Sequence, residues 1–276
     1  MDIEQPMIRT CLTALSLAFG LGLPTALLAQ EYNIQGVARL DILPGYETSA
    51  GHMIAARIQL APGWKTYWRA PGTNGIPPAF DWGGSQNLKG VAFHWPEPYV
   101  FMKDGERTIG YENELVLPIS ITPQKSGAPV SLKGEVLFGV CEDVCIPVKA
   151  RFAMDVAGSD AGSTKVIKAA LRKKPASGAS RGISPVSCDI TPIKGGFRIS
   201  TTLRSVKPLP AGSLPVIEFP GNDVWIEQKD NRIDGKSLTA SANLFAYGST
   251  PLMVQRSGVT VTLLGGPRAV ELRGCP

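Results

Sequence analysis

Apolar residues alternate with polar residues over many short stretches of this chain, as in half-buried β-strands. These stretches are rich in β-branched residues, and Gly- and Pro-containing turns separate them. The clearest examples are residues 53–60, 115–121, 130–138, 196–203, 214–219, 252–255 and 259–264. The pattern predicts an all-β protein made of sandwich strands.

The alternation stops between residues 158 and 184, where the pattern changes to that of a short helix. Ser163 is a candidate N-cap, and the basic stretch RKKPASGAS follows the helical segment. Four apolar residues would share one face of this helix: Val166, Ile167, Ala170 and Leu171. We therefore expect two immunoglobulin-like β-sandwich domains, residues 30–157 and 185–276, joined by a linker with a short helix at residues 158–184.

The N-terminal segment has the features of a secretory signal. Residues 12–28 form an apolar run broken by Gly and Pro, shorter than the roughly 20 residues that a spanning helix needs. We expect residues 1–29 to be a signal peptide cleaved near Ala29, which places the mature protein in the periplasm. A start at Met7 would remove two acidic residues that are unusual in a signal sequence, and an uncleaved anchor is the alternative.

Composition and charge exclude several classes of protein. Hydrophobic residues make up 43% and charged residues 18% of the chain, which indicates a globular protein and not a disordered one. The net charge of +5 comes from scattered basic residues, so no nucleic-acid partner is expected. The sequence has no Walker loop, dinucleotide fingerprint, zincin helix or nucleophile elbow, and therefore gives no support for nucleotide or hydrolase chemistry.

Four cysteines remain after removal of the signal peptide, an even number in an oxidising compartment. Three pairings are possible, and the spacing favours Cys141 with Cys145 and Cys188 with Cys275. The second bond would span nearly the whole second domain, so we expect it to be structural. An exposed, reactive Cys275 is the alternative.

The segment GVCEDVCIP, residues 139–147, lies between two predicted strands. Its three-residue loop would form a hairpin in which Cys141 and Cys145 face each other at a distance compatible with a disulfide. Because the bond closes a very short loop, it adds little to stability, and we expect it to be redox-active. The alternatives are a bond that merely holds the hairpin, or a metal site in which two thiolates bind Cu(I).

Several ordered motifs resemble the periplasmic N-terminal domain of the thiol:disulfide interchange protein DsbD, and still more that of its copper-tolerance relative ScsB. The similarity spans about residues 35–155, and its motifs are GVCEDVCIP, PGWKTYWRAPG, PPAFDW and GYENELVLP. The resemblance implies an immunoglobulin-like fold without a cofactor. It also implies a protein-disulfide reductase in which Cys141 and Cys145 receive electrons from a membrane partner and pass them to periplasmic disulfide proteins.

The resemblance further implies a cap over the cysteines, formed by a loop with an aromatic residue. Residues 99–107 lie in the matching place, with Phe101 as the candidate cap beside Met102; both could instead be core residues. The spacing of the cysteines is narrower than in DsbD. The multi-span and thioredoxin-like domains of full-length family members do not occur in this sequence. We therefore expect a separate membrane electron donor of the DsbD or CcdA type, with thioredoxin-like or other disulfide-bearing periplasmic proteins as acceptors.

Two acidic residues in the hairpin loop affect the expected direction of electron flow. Glu142 and Asp143 put negative charge beside the sulfurs, which disfavours thiolates and favours an electron donor, unless both are solvated turn residues. Two other functions remain open: a copper-handling or adaptor module that uses the same cysteines, and an interaction domain with two inert disulfides. The first-attacked cysteine, the role of the second domain and the oligomeric state do not follow from the sequence.

Overall fold

The computed structural model describes residues 32–34, 36–72, 75–103, 105–220, 224–247 and 252–276. The predicted signal peptide and the alternative start at Met7 lie outside the described residues. Within the described ranges, no helix combines the length and the apolar character needed to cross a bilayer.

The N-terminal part is a sandwich of two antiparallel sheets. The strands are β1 Tyr32–Ile34, β2 Ala38–Thr48, β3 Gly51–Leu60, β4 Lys65–Gly72, β5 Ala79–Asp81, β6 Leu88–Phe93, β7 Tyr99–Lys103, β8 Glu106–Glu112, β9 Glu114–Pro123, β10 Val130–Cys141 and β11 Cys145–Val156. One sheet has the order β1-β2-β3-β9-β6; the other has the order β11-β10-β4-β8-β7, and β5 pairs with β10.

Period-two alternation places the core side chains between these two sheets. In β11 the buried residues are Val148, Ala150, Phe152 and Met154, and the positions between them are exposed or half-buried. The largest fully buried side chains of the core include Trp68 and Phe138. Burial of such aromatic and aliphatic surface is the main driving force for this sandwich.

A single α-helix of the described chain, α1 Ala161–Arg172, lies in the predicted linker segment. The expected cap was wrong: Asp160 is the N-cap, because its carboxylate accepts a hydrogen bond from the Ser163 amide at 2.6 Å, and Ser163 itself lies inside the helix. Ile167 packs with Met53 and Ala55 on the first sandwich. The helix is therefore an integral layer on this sheet and not a free connector.

The strands of the C-terminal part are β12 Ala176–Ser177, β13 Ile183–Ile193, β14 Gly196–Ser205, β15 Leu214–Glu218, β16 Val224–Asp234, β17 Ser237–Ala246, β18 Thr260–Leu264 and β19 Val270–Arg273. They form two four-stranded sheets, with the orders β12-β19-β18-β15 and β13-β14-β17-β16, which share one apolar core and are called here the C-terminal sandwich. The all-β expectation is confirmed, whereas the domain boundaries stay a prediction.

A disulfide joins the two C-terminal sheets. Cys188 lies on β13 and Cys275 follows β19, with their Cα atoms 5.3 Å apart and both residues buried.

A shared apolar cluster joins this part of the chain to the first sandwich. Its members from the C-terminal part are Leu214, Val216, Leu264 and Ala269, which pack into the same core as Trp68.

We predict that replacement of Cys188 and Cys275 by alanine lowers the free energy of unfolding by about 2–5 kcal/mol, because the bond closes a long loop. The two cysteines are 87 positions apart, against 4 for Cys141 and Cys145. Urea unfolding followed by circular dichroism measures the loss. The matched control is alanine at Cys141 and Cys145, which should cost less; equal losses would contradict a structural role specific to the longer bond.

Candidate redox site

The hairpin with the cysteine pair is formed by β10 and β11, which pair along their whole length. Cys141 and Cys145 are opposite each other at its end, with Cα atoms 4.1 Å apart, and a disulfide joins them. The three loop residues are exposed, as is Cys145, whereas Cys141 is half-buried. The sulfur pair thus lies at the tip of a rigid ladder.

Tyr67 on β4 is a polar side chain that contacts this disulfide. Its hydroxyl lies 3.0 Å from Sγ of Cys145, and since a disulfide sulfur has no proton, the tyrosine donates the hydrogen bond. Burial raises the pKa of Tyr67, so the phenol stays protonated at neutral pH. Tyr67 can therefore serve as a neutral hydrogen-bond donor to Cys145.

A glycine makes room for the Tyr67 ring. A Cβ atom at Gly139, two residues before Cys141, would lie 2.6 Å from the edge of the ring. Next to Tyr67, the buried Thr66 hydroxyl donates a hydrogen bond of 2.8 Å to the Gly139 carbonyl. These contacts fix β4 against the cysteine strand at the level of the disulfide.

The predicted cap residues lie on a second hairpin of the same sheet, formed by β7 and β8 at its edge. Phe101 is half-buried, and the ammonium group of Lys65 lies 5.1 Å from its ring centroid. Lys65 is in turn opposite Cys141 in the β4–β10 ladder. Met102 is 63% exposed. The structure thus brings Phe101 near the cysteine strand through Lys65, and the role of both residues as a cap stays a prediction.

An ion pair joins this second hairpin to the cysteine loop. The Lys103 ammonium lies 2.5 Å from the Asp143 carboxylate. The hydrogen bond from Lys103 and its charge, with a smaller effect of Lys65, lower the pKa of Asp143. The negative charge expected beside the sulfurs is therefore partly compensated, which weakens the sequence-based argument for an electron donor.

Three residues of the site were not predicted from the sequence: Tyr67, Thr66 and Lys103. Tyr67 and Thr66 lie in a motif that supports the resemblance, and Lys103 follows the candidate cap, but their partners are distant in the chain. Tyr67 and Cys145 are separated by 78 positions. A usable signal was Gly139, since a glycine within a core strand marks the close approach of another group.

The described residues contain no cluster of three or more His, Cys, Asp or Glu that could hold a metal ion. A Cu(I) site would therefore depend on the sulfurs of Cys141 and Cys145, which form a disulfide in this structure. The copper alternative stays a prediction.

Fold and site together define an immunoglobulin-like sandwich with a short-loop disulfide at an exposed hairpin tip. Residues 38–157 match the family model described as "Thiol:disulfide interchange protein DsbD, N-terminal". This segment is therefore similar to the N-terminal domain of DsbD, which confirms the resemblance found in the sequence.

The fold of nearly the whole chain also has a solved counterpart. It is similar to the crystal structure of the N-terminal periplasmic domain of ScsB from Proteus mirabilis, with a TM-score of 0.62 and 22% sequence identity. The match covers 89% of this chain and 96% of that chain, so the likeness in fold extends beyond residue 157. The search of curated proteins gave no match.

We predict that the Asp143 carboxyl titrates below its ordinary range and that Lys103→Met moves its pKa upward, because the substitution removes the main stabilising contact of the carboxylate. A lowered pKa means that the ion pair stabilises the folded site at neutral pH and is lost as the pH falls through that pKa. NMR titration of the side-chain carboxyl carbon measures this. The control is Lys149→Met, because Lys149 pairs with Glu135 and not with Asp143. Equal Asp143 titration midpoints in the wild type, Lys103→Met and Lys149→Met would contradict the prediction.

Proposed function

We propose that this protein is a periplasmic protein-disulfide reductase that exchanges disulfides through Cys141 and Cys145. The family match supports a role in thiol-disulfide electron transfer in general. The observation that carries the assignment to this pair is its position at an exposed hairpin tip with a tyrosine hydroxyl aimed at Cys145. The expected signal peptide and the periplasmic origin of the ScsB domain support the location.

Cys145 is the cysteine we assign to the mixed disulfide. It is the more exposed of the two, and Tyr67 donates to its sulfur. In the reduced protein the same hydroxyl would stabilise the Cys145 thiolate, because a hydrogen bond to a charged acceptor is stronger than one to a neutral acceptor. Cys141, half-buried beside β4, is then the resolving cysteine.

The exchange needs no cofactor. The Cys145 thiol loses its proton, and the thiolate attacks one sulfur of the substrate disulfide, so that a mixed disulfide forms and the other substrate sulfur leaves as a thiolate that takes up a proton. The Cys141 thiolate then attacks Sγ of Cys145 and releases the second substrate sulfur. Two electrons pass to the substrate, which becomes two thiols, and the Cys141–Cys145 bond re-forms.

The direction of electron flow belongs to this proposal and derives from the family resemblance. The pair would be reduced by a membrane donor of the DsbD or CcdA type and would reduce disulfide-bearing or thioredoxin-like periplasmic proteins. The charges of the site are a weak guide to this direction. Lys103 compensates the negative charge of Asp143, and the Glu142 side chain lies against Gly63.

We predict that Cys141→Ser traps mixed disulfides on Cys145. The reduced variant can attack a substrate disulfide, but it lacks the thiol that resolves the intermediate. The measurement is reaction of the reduced protein with oxidised glutathione, an acid quench and peptide mass mapping. Cys145→Ser is the matched control and should accumulate much less adduct on Cys141. Equal trapping would contradict the assignment of Cys145, and no adduct on either variant would contradict the exchange function.

We also predict that Tyr67→Phe slows the attack of the reduced protein on oxidised glutathione by about threefold to tenfold at neutral pH, because a hydrogen bond to the thiolate is lost. The pH at which the rate is half-maximal should move upward. Tyr111→Phe is the matched control, since the buried Tyr111 hydroxyl donates instead to the Pro96 carbonyl. If both variants behave alike, the tyrosine contact has no specific role in the exchange.

A further inference from the structure

The strand that carries Tyr67 leaves its ladder immediately after this residue. In the pairing of β4 with β8, Tyr67 is opposite Gly110, but the next paired residue of β4 is Gly72, opposite Thr108. Four residues of β4 thus face a single residue of β8. This bulge begins at the position that follows the tyrosine of the candidate site.

Arg69 extends from this bulge to the C-terminal sandwich. Its Nε lies 2.5 Å from the Glu218 carboxylate, and one of its terminal nitrogens lies 2.7 Å from the Glu271 carboxylate. The same nitrogen is 3.3 Å from the Thr262 hydroxyl, which donates to Glu218 at 2.7 Å. The three partners come from the adjacent strands β15, β18 and β19.

This ion-pair cluster is mostly removed from solvent. The side chains of Arg69, Glu218 and Glu271 are 24%, 12% and 15% exposed. The guanidinium carbon of Arg69 also lies 4.6 Å from the ring centroid of Trp68, which is fully buried in the core. A guanidinium held by two carboxylates and a ring has a defined position, because its planar donors match the carboxylate oxygens.

Two sets of contacts hold this part of β4. The ladders with β8 and β10 hold it up to Tyr67, and the C-terminal sandwich holds the bulge through its second residue, Arg69. The Tyr67 ring has little freedom, since it lies against Gly139 and near Gly75. A shift of β4 at Arg69 would therefore change the distance between the Tyr67 hydroxyl and the Cys145 sulfur.

We propose that the C-terminal sandwich acts on the redox site as a positioning element: through Arg69 it holds Tyr67 at hydrogen-bond distance from Cys145. Arg69 is a positioning residue, since it touches neither sulfur, and the inference rests on the proposed exchange at Cys145. It gives the second sandwich a role in the chemistry of the first. Burial of an ion pair is a costly way to gain stability, but the geometry it imposes suits this positioning role.

The test is a double-mutant cycle of Arg69→Met and Tyr67→Phe. The rate measured is the attack of the full-length reduced protein on oxidised glutathione across a pH series. We expect Arg69→Met to slow the reaction by about threefold to tenfold at neutral pH and to move the pH profile upward, as Tyr67→Phe does. In the Tyr67→Phe background we expect Arg69→Met to have almost no further effect, because residues that act through one contact are not additive.

One control variant and one alternative variant complete the test. Arg57→Met removes an arginine whose carboxylate partner, Glu114, lies within the first sandwich, and it should leave the rate unchanged. If Arg69→Met does not fold, Glu218→Gln weakens the same cluster and should show a smaller slowing that disappears in the Tyr67→Phe background.

Three outcomes have different meanings. The positioning role is overturned if folded Arg69→Met, or Glu218→Gln in its place, reacts like the wild type. It is also overturned if the substitution slows both backgrounds by the same factor. Failure of the wild-type protein itself to form an adduct on Cys145 would instead overturn the proposed function.

Discussion

The candidate redox site depends on a close approach between β4 and the cysteine strand. The Tyr67 ring can lie against the cysteine strand because residue 139 is a glycine and has no side chain. This approach allows the tyrosine hydroxyl to reach Cys145, and it lets Thr66 bind the carbonyl of the same glycine. The ladders place the sulfurs at the tip of one hairpin and the candidate cap on another. Loss of the close approach would separate the disulfide from its hydrogen-bond donor.

Much of the fold follows from local patterns in the sequence. The alternation of apolar residues predicts strands that the structure contains at residues 53–60, 115–121 and 130–138, whereas residues 252–255, also expected to form a strand, form none. The spacing of Cys141 and Cys145 predicts the hairpin that the structure contains. The helix was also predicted, but its start was misplaced, because Asp160 and Ser163 are both good N-caps and the chain before Ser163 continues the helix. Local sequence patterns predict structure well where each residue interacts with its near neighbours in the chain.

The surroundings of the disulfide could not be predicted in this way. Lys103 meets Asp143 across 40 positions, and Arg69 meets Glu271 across 202. Such contacts depend on sheet order and on the packing of one sandwich against the other, neither of which has a signature in a single sequence. The resemblance supplied the cysteine pair but not its hydrogen-bond donor, so the chemistry of the site became visible when the strands were placed side by side.

The separation of the two disulfides along the chain has a consequence for how the protein acquires them. Two cysteines four positions apart meet by local chain motion on a time scale of about 10–100 ns, whereas Cys188 and Cys275 meet efficiently once the C-terminal sheets have assembled. The hairpin bond can therefore close early during oxidation. After it has closed, Cys188 and Cys275 are the two cysteines of the described residues left to pair. Early closure of the short loop would thereby lower the number of alternative pairings during maturation.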